Sequence, residues 1–299
     1  MNNIKSSFSI KDLENLSGIK AHTIRIWEKR YNLLEPERTD TNIRYYSLSN
    51  LQKLLNISFL NGNGYKISKI ASIPNDKIPV IVREIAANEN AKSHAINTFK
   101  LAMLNFDQSL FYNTYESLIK EKSFQEIFYE VFIPLMTEIG MLWQTDTITP
   151  AHEHFITTLI RQKILVNTEL LQSKIKTHQK RTFVLFLPDN EIHELGLMFI
   201  NYEIINKGYH SIFLGPSVPI NSLLDILSYY DDVTFISYFT IKPDKDSIIP
   251  YLDEFDDRIL KGNNHQFWIL GHMLQHIDLK KLPKSIKPYK TIDSLVKEI

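Results

Sequence analysis

Three regimes of hydrophobic patterning succeed one another along the chain. Up to about residue 78, short apolar sets recur at helical spacing between polar turns. Ile10, Leu13 and Leu16 form one such set, with Ser9 placed to cap it, and Gly18-Ile19 turns the chain into a second helix from about Ala21 to Tyr31. There Ile24 and Trp27 point inward, while Thr23, Arg25, Lys29 and Arg30 point outward. Two short helices joined by a tight Gly turn predict a helix-turn-helix. Leu34 to Tyr46 reads as a Pro-led hairpin with Arg and Asn at its tip, a wing. Ser49 starts a helix through Leu51, Leu54, Leu55 and Ile57 to Leu60, and Gly64 to Ala71 opens another. Pro74 and Pro79 bracket Asn75-Asp76-Lys77-Ile78, which is expected to stop the helix and mark a linker.

From residue 79 to about 178 the pattern is amphipathic and helical, without strand alternation. Phe124, Ile127, Phe128, Val131, Phe132, Leu135, Met136, Ile139, Leu142 and Trp143 fall at every third or fourth place. Thr149 and Pro150 supply a cap and a first-turn proline for the next helix, to about Lys174. A four-helix bundle is the economical reading. Beyond about 180 the apolar runs shorten. Strands are expected at Thr182 to Leu187, His210 to Leu214, Val233 to Tyr238 and Gln266 to Leu270, with helices between them and a last helix near Ser294. Strands alternating with crossover helices predict a flavodoxin-like, doubly wound parallel sheet. The fold class is thus multidomain, α and α/β: a winged helix-turn-helix over 1–78, a helical bundle over 79–178 and an α/β domain over 179–299.

Composition narrows the chemistry. Lys+Arg and Asp+Glu balance at 34 each, so the chain as a whole has no field to attract nucleic acid. Residues 1–78, however, hold twelve Lys/Arg against seven Asp/Glu, an excess that suits phosphate contacts. The absence of cysteine excludes disulfides, Cys-ligated zinc, iron-sulfur clusters and a thiol nucleophile. No stretch approaches the length of a membrane span and the N-terminus lacks a signal-type apolar region, so a soluble cytoplasmic protein with no membrane partner is expected.

The candidate ligand site is Glu191-Ile192-His193-Glu194-Leu195-Gly196, which follows the first α/β strand. In an open α/β sheet that is where ligands bind. In an extended loop side chains two apart point the same way, so Glu191 is positioned to hold one ring nitrogen of His193 and leave the other to ligate a metal. Gly196 would let a bulky planar group approach the backbone. In the bundle, Trp143 reads as core, Glu153 as a first-turn acid and His154 as its polar neighbour. His152 and His154 lie about two hundred degrees apart on a helix and cannot clamp one metal.

Two resemblances follow from these residues. The order helix-turn-helix, HTIRIWEKRYNLLEPERT, NIRYYS and GYKISKIA resembles the MerR family of winged-helix regulators. That resemblance implies a dimer on a palindromic double-stranded operator, with Thr23 and Arg25 nearest the bases or adjacent backbone, and Lys29, Arg30, Arg38, Asn42 and Arg44 nearest phosphates. A long coiled-coil dimerisation helix, frequent in the family, is missing here, so dimerisation must come from elsewhere. The spacing of Glu191, His193 and Gly196 resembles the motif of vitamin B12 domains, in which the histidine holds a corrinoid cobalt from below. Trp143 followed after nine residues by Glu153-His154 is similar to a motif of cobalamin-binding MerR regulators, the carotenoid-repressor and light-regulator type, whose bundle caps adenosylcobalamin.

The resemblance implies that Trp143, Glu153 and His154 meet the adenosyl group, that Ser237 lies near the buried nucleotide tail and that Gly271 occupies the first place of a Gly-Gly pair. Two departures stand out. His272 replaces the second glycine, where a larger side chain would crowd the tail channel. Gln144 replaces a histidine that captures cobalt after light in those regulators, a role left to His152 or His154 or to another signal. The implied protein is not an enzyme. It is a transcription regulator, a repressor and photoreceptor by resemblance, whose dimeric or tetrameric assembly on DNA responds to adenosylcobalamin. The alternatives are a cobalamin-independent regulator governed by a protein antagonist on the α/β domain and, against the DNA-binding head, a corrinoid carrier.

Overall fold

The computed structural model describes residues 7–39, 41–82, 91–144, 147–172 and 181–299. The chain divides into two compact units, Met1–Ile160 and Arg161–Ile299. In the first, α1 (Ile10–Ser17) and α2 (Ala21–Tyr31) make the expected helix-turn-helix. Ser9 caps α1 reciprocally: its hydroxyl accepts from the Asp12 amide and the Asp12 carboxylate accepts from the Ser9 amide. Gly18 closes α1 at φ 74, a left-handed turn that glycine enters without penalty. Strands β2 (Glu37–Arg38) and β3 (Arg44–Ser47) form the wing, and β1 (Ser7–Phe8) completes a sheet of order β1-β3-β2. Helices α3 (Leu48–Gly62) and α4 (Ile67–Ala71) follow, α3 capped by Ser47.

Residues 78–82 are helical, with Ile78 and Val82 buried. Pro79 therefore opens a helix instead of extending a linker, because in a first turn its missing N–H has no partner to lose. The bundle helices are Ala91–Asn105, Gln108–Ile119, a third that runs Phe124–Ile127, a π turn Phe128–Phe132 and Ile133–Gln144, and Pro150–Gln172. Phe99, Phe111, Phe128 and Phe132 fill the centre. Trp143 departs from expectation: it is 54% exposed. The buried stripe of its helix runs through Leu135, Ile139 and Leu142, and a residue one place on is turned about 100° away.

The second unit carries a five-stranded parallel sheet of order β5-β4-β6-β7-β8. Its strands are β4 (Thr182–Phe186), β5 (His210–Gly215), β6 (Val233–Tyr238), β7 (Gln266–Leu270) and β8 (Ile286–Pro288). Counted within the sheet this is 2-1-3-4-5, the flavodoxin-like order, and its switch point lies between β4 and β6. β8 was not expected from the sequence; three residues ending in proline carry too little pattern. Leu195–Asn206, Ile220–Leu227, Ile248–Phe255 and Ile292–Val296 are the helices. Phe186, Phe235, Phe239, Phe255 and Phe267 make the core on the Ile220–Leu227 and Ile248–Phe255 side.

Candidate functional site: a nucleic-acid face and a switch-point histidine

On the head, burial of Ile24 and Trp27 turns Arg25, Lys29 and Arg30 outward, with Thr23 half-buried. At the wing tip Asn42 takes a positive φ of 65, and Arg38 Nη1 donates to Asn42 Oδ1 at 2.6 Å, which brings those two expected contact residues together. Arg44 stands apart. Its Nε lies 3.5 Å from Glu28 Oε2, and the Tyr46 hydroxyl donates to Glu28 Oε1 at 2.8 Å. Burial and this bond to the Glu28 carboxylate both raise the Tyr46 pKa, so the phenol stays a donor. Glu28 thus ties α2 to the wing, a role visible in sequence only as one acid inside a basic helix.

In the second unit β4 ends in a loop braced on both sides. The Asn190 amide donates to Ser217 Oγ of the loop after β5 at 3.1 Å. Glu191 is fully buried and joins the loop to the one after β6. Its Oε1 accepts from the amides of Ile192 and His193 and from His193 Nδ1 at 2.6 Å; its Oε2 accepts from the amides of Thr240, Ile241 and Lys242. Burial alone would raise this carboxyl, but the bonds from His193 and the backbone amides outweigh it and hold the pKa at about 2. An ionised acid therefore fixes the tautomer and plane of an imidazole whose side chain is 44% exposed. The three amides after β6 lie about fifty residues away, so no local pattern announced them. Ile192 and Ile241, on either side of this network, are exposed.

Gly196 is approached by a planar group, and the group is the protein's own: a Cβ there would meet the Tyr238 ring at 2.8 Å. Ser237 Oγ is buried with no hydrogen-bond partner, as is the Tyr251 hydroxyl, which the sequence did not single out. By strand alternation with Val233 and Phe235, Ser237 faces the aromatic core against which Tyr251 packs. Gly271 has φ 121, and a Cβ on it would stand 2.3 Å from the Phe239 carbonyl oxygen. His272 is exposed and paired with Gln275, so it does not crowd the interior; Met273 and Leu274 fill that place.

On the bundle, His154 is 74% exposed and lies 3.4 Å from Glu153. His152 is buried, stacked on Phe106 and bonded through Nδ1 to Thr149, so its ring is committed to the helix start. Among the described residues no cluster of three His, Cys, Asp or Glu is placed to hold a metal ion, and no helix is long and apolar enough to cross a membrane. A single histidine suffices only where a macrocycle brings the remaining ligands.

Residues 8–76 match the MerR HTH family of regulatory proteins and residues 95–166 match the B12 binding domain. The HTH-type transcriptional repressor CarH of Myxococcus xanthus is 26% identical over 224 residues, 73% of each chain. CarA of the same organism, also an HTH-type transcriptional repressor, is 21% identical over 216 residues, 72% of this chain and 70% of that one. Among solved structures, a Methanosarcina barkeri monomethylamine corrinoid protein superposes with a TM-score of 0.57 at 12% identity, over 69% of this chain and 97% of that one, which establishes the fold alone. The MerR-type match in the head and the B12-binding match in the bundle, with two transcriptional repressors similar over nearly three quarters of the chain, support a cobalamin-responsive, DNA-binding regulator.

Proposed function

We propose that the effector is adenosylcobalamin, that His193 Nε2 is the lower ligand to its cobalt, and that the loaded protein represses transcription in the cytoplasm. The Glu191–His193 pair carries this reading. A buried, ionised carboxylate saturated with donors engages Nδ1, which supports ligation through Nε2 and raises the basicity of the ring. Ile192 and Ile241 supply an apolar rim for a flat macrocycle. The partnerless hydroxyls of Ser237 and Tyr251 fit a ligand that sends a polar tail into the sheet's core face, since a buried hydroxyl left unbonded costs about 1–3 kcal/mol. Gly196 and Gly271 shape the same region through the close approaches they permit.

Bound adenosylcobalamin would supply a cobalt–carbon bond that light cleaves. Trp143, Glu153 and His154 are the residues we assign to the adenosyl group, and the exposure of Trp143 and His154, with Glu153 half-buried, supports this. With Gln144 in place of a histidine and His152 committed elsewhere, His154 is the imidazole of that segment available to a light-altered cofactor. Loading would favour an oligomer that sets several heads on adjacent half-sites, so that one ligand raises both assembly and multivalent DNA affinity.

The test is an absorption spectrum of the protein mixed with adenosylcobalamin in darkness, desalted and then illuminated. We expect retained corrin absorption that changes with light. His193→Ala should abolish retention, and Glu191→Gln should weaken it by about 10- to 100-fold. A colourless wild-type protein, or a His193→Ala spectrum identical to wild type, would sink the proposal.

A further inference from the structure

Within the first unit α3 of the DNA-reading head packs on the Ala91–Asn105 helix of the bundle, Phe59 meeting His94 edge-on, and discrete polar ties add to this beside a cavity of about 600 Å³ lined by Asn15, Leu16, Gly18, Asn97, Lys100 and Glu138. Lys100, on the Ala91–Asn105 helix, has a side chain only 6% exposed. Its ammonium donates to the Leu16 carbonyl at 3.1 Å and to Glu138 Oε2 at 2.7 Å. Leu16 lies in the last turn of α1, where carbonyls lack intrahelical donors. The neighbouring acceptors are met from within the head: Glu14 by the Gly18 amide, Leu13 by Ser17 Oγ and Ser17 by Ser58 Oγ. The Leu16 carbonyl is met by a cation from the bundle, which also suits the negative end of the α1 dipole. A second tie runs from Asn15 Nδ2 to Thr147 Oγ1 at 3.1 Å.

The bundle anchors, Glu138 and Thr147, bracket Trp143 in sequence, five residues before it and four after. The head anchors, Asn15 and Leu16, immediately precede the Ser17-Gly18 turn that aims α2. We propose that Lys100 is a positioning residue that couples the Trp143 segment to the DNA-reading helix, transmitting displacement of one as a shift of the other. The coupling to an effector rests on the cobalamin reading above; the mechanical tie does not. The ties use α1 and leave Arg25, Lys29 and Arg30 exposed, so the joint sets the aim of the reading face without covering it.

The chain lacks cysteine, so paired spin labels at Lys11→Cys and Lys120→Cys of the full-length protein report the head-to-bundle distance without background. We expect a narrow distance distribution in the wild-type background, a broad one in Asn15→Ala/Lys100→Met, and recovery in Asn15→Ala/Lys100→Arg. Lys100→Glu/Glu138→Lys keeps an ion pair but places no donor at position 100, so it too should broaden. Equal widths in all four would overturn the tie. In a second arm, operator affinity is measured in darkness with and without adenosylcobalamin. The wild-type response, about 5-fold or more for coupling of this kind, should collapse towards 1 in Asn15→Ala/Lys100→Met while corrin retention is unchanged. A response that persists at the wild-type factor would overturn the coupling. A wild-type protein blind to adenosylcobalamin would instead overturn the function proposed above, leaving the tie to be judged by the distances.

Discussion

Two glycines near the switch point differ in what a methyl group would meet. At Gly271 the obstacle is the Phe239 backbone and φ is 121, so neither the side chain nor the main chain can yield cheaply. Gly271→Ala should cost roughly 3 kcal/mol or more in urea unfolding. At Gly196 the obstacle is the Tyr238 ring, which can swing, and Gly196→Ala should cost about 1 kcal/mol. A larger penalty at Gly196 than at Gly271 would contradict this ordering. His265 gives a pH signature. Burial lowers its pKa, against the pull of Asp232 and Asp231, and its Nδ1 accepts from the Val233 amide at 3.2 Å. Because the folded pKa lies below the ordinary 6.5, the stabilisation is complete above that pH and is lost as pH falls through the folded value. His265→Gln should flatten the fall in stability on acidification. The Glu191–His193 pair was legible from spacing alone, because both partners lie in one loop. Tyr251 and the amides of Thr240 to Lys242 were not, because only the folded sheet brings them to the site.

At the scale of elements, helices with a capping residue and a clear apolar stripe were legible: α1 with Ser9 and α2 from Ala21 to Tyr31 match the sequence reading. Strands β4 to β7 were legible from their apolar runs, whereas the three-residue β8, with too little pattern of its own, was not, nor was the use of Pro79 to begin a helix. The wing and the reading helix should separate in their effects on DNA. Arg38, held at the wing tip by Asn42, is placed for a phosphate. Arg38→Ala should weaken binding uniformly across sequences and reduce the slope of log K against log salt by about 1. Arg25→Ala should relax discrimination at one operator position by about 1–3 kcal/mol. Electrophoretic titrations against the operator and a scrambled duplex, at several salt concentrations, distinguish the two. Loss of sequence preference in Arg38→Ala would reverse the assignment.

For the whole molecule, charge is neutral overall yet basic in the head, so the salt dependence of operator binding belongs to the first 78 residues while the second unit is electrostatically silent towards DNA. The bracing of the His193 loop has a different consequence. The hydrogen bonds that orient the imidazole through Glu191 come from the chain itself, those of Thr240, Ile241 and Lys242 among them. These amides should exchange slowly with solvent deuterium both with and without adenosylcobalamin. Little ordering entropy is then left to lose there on uptake. A floor braced by the chain's own amides has little room to report uptake, so the groups proposed for the cofactor's other face are the ones expected to transmit it.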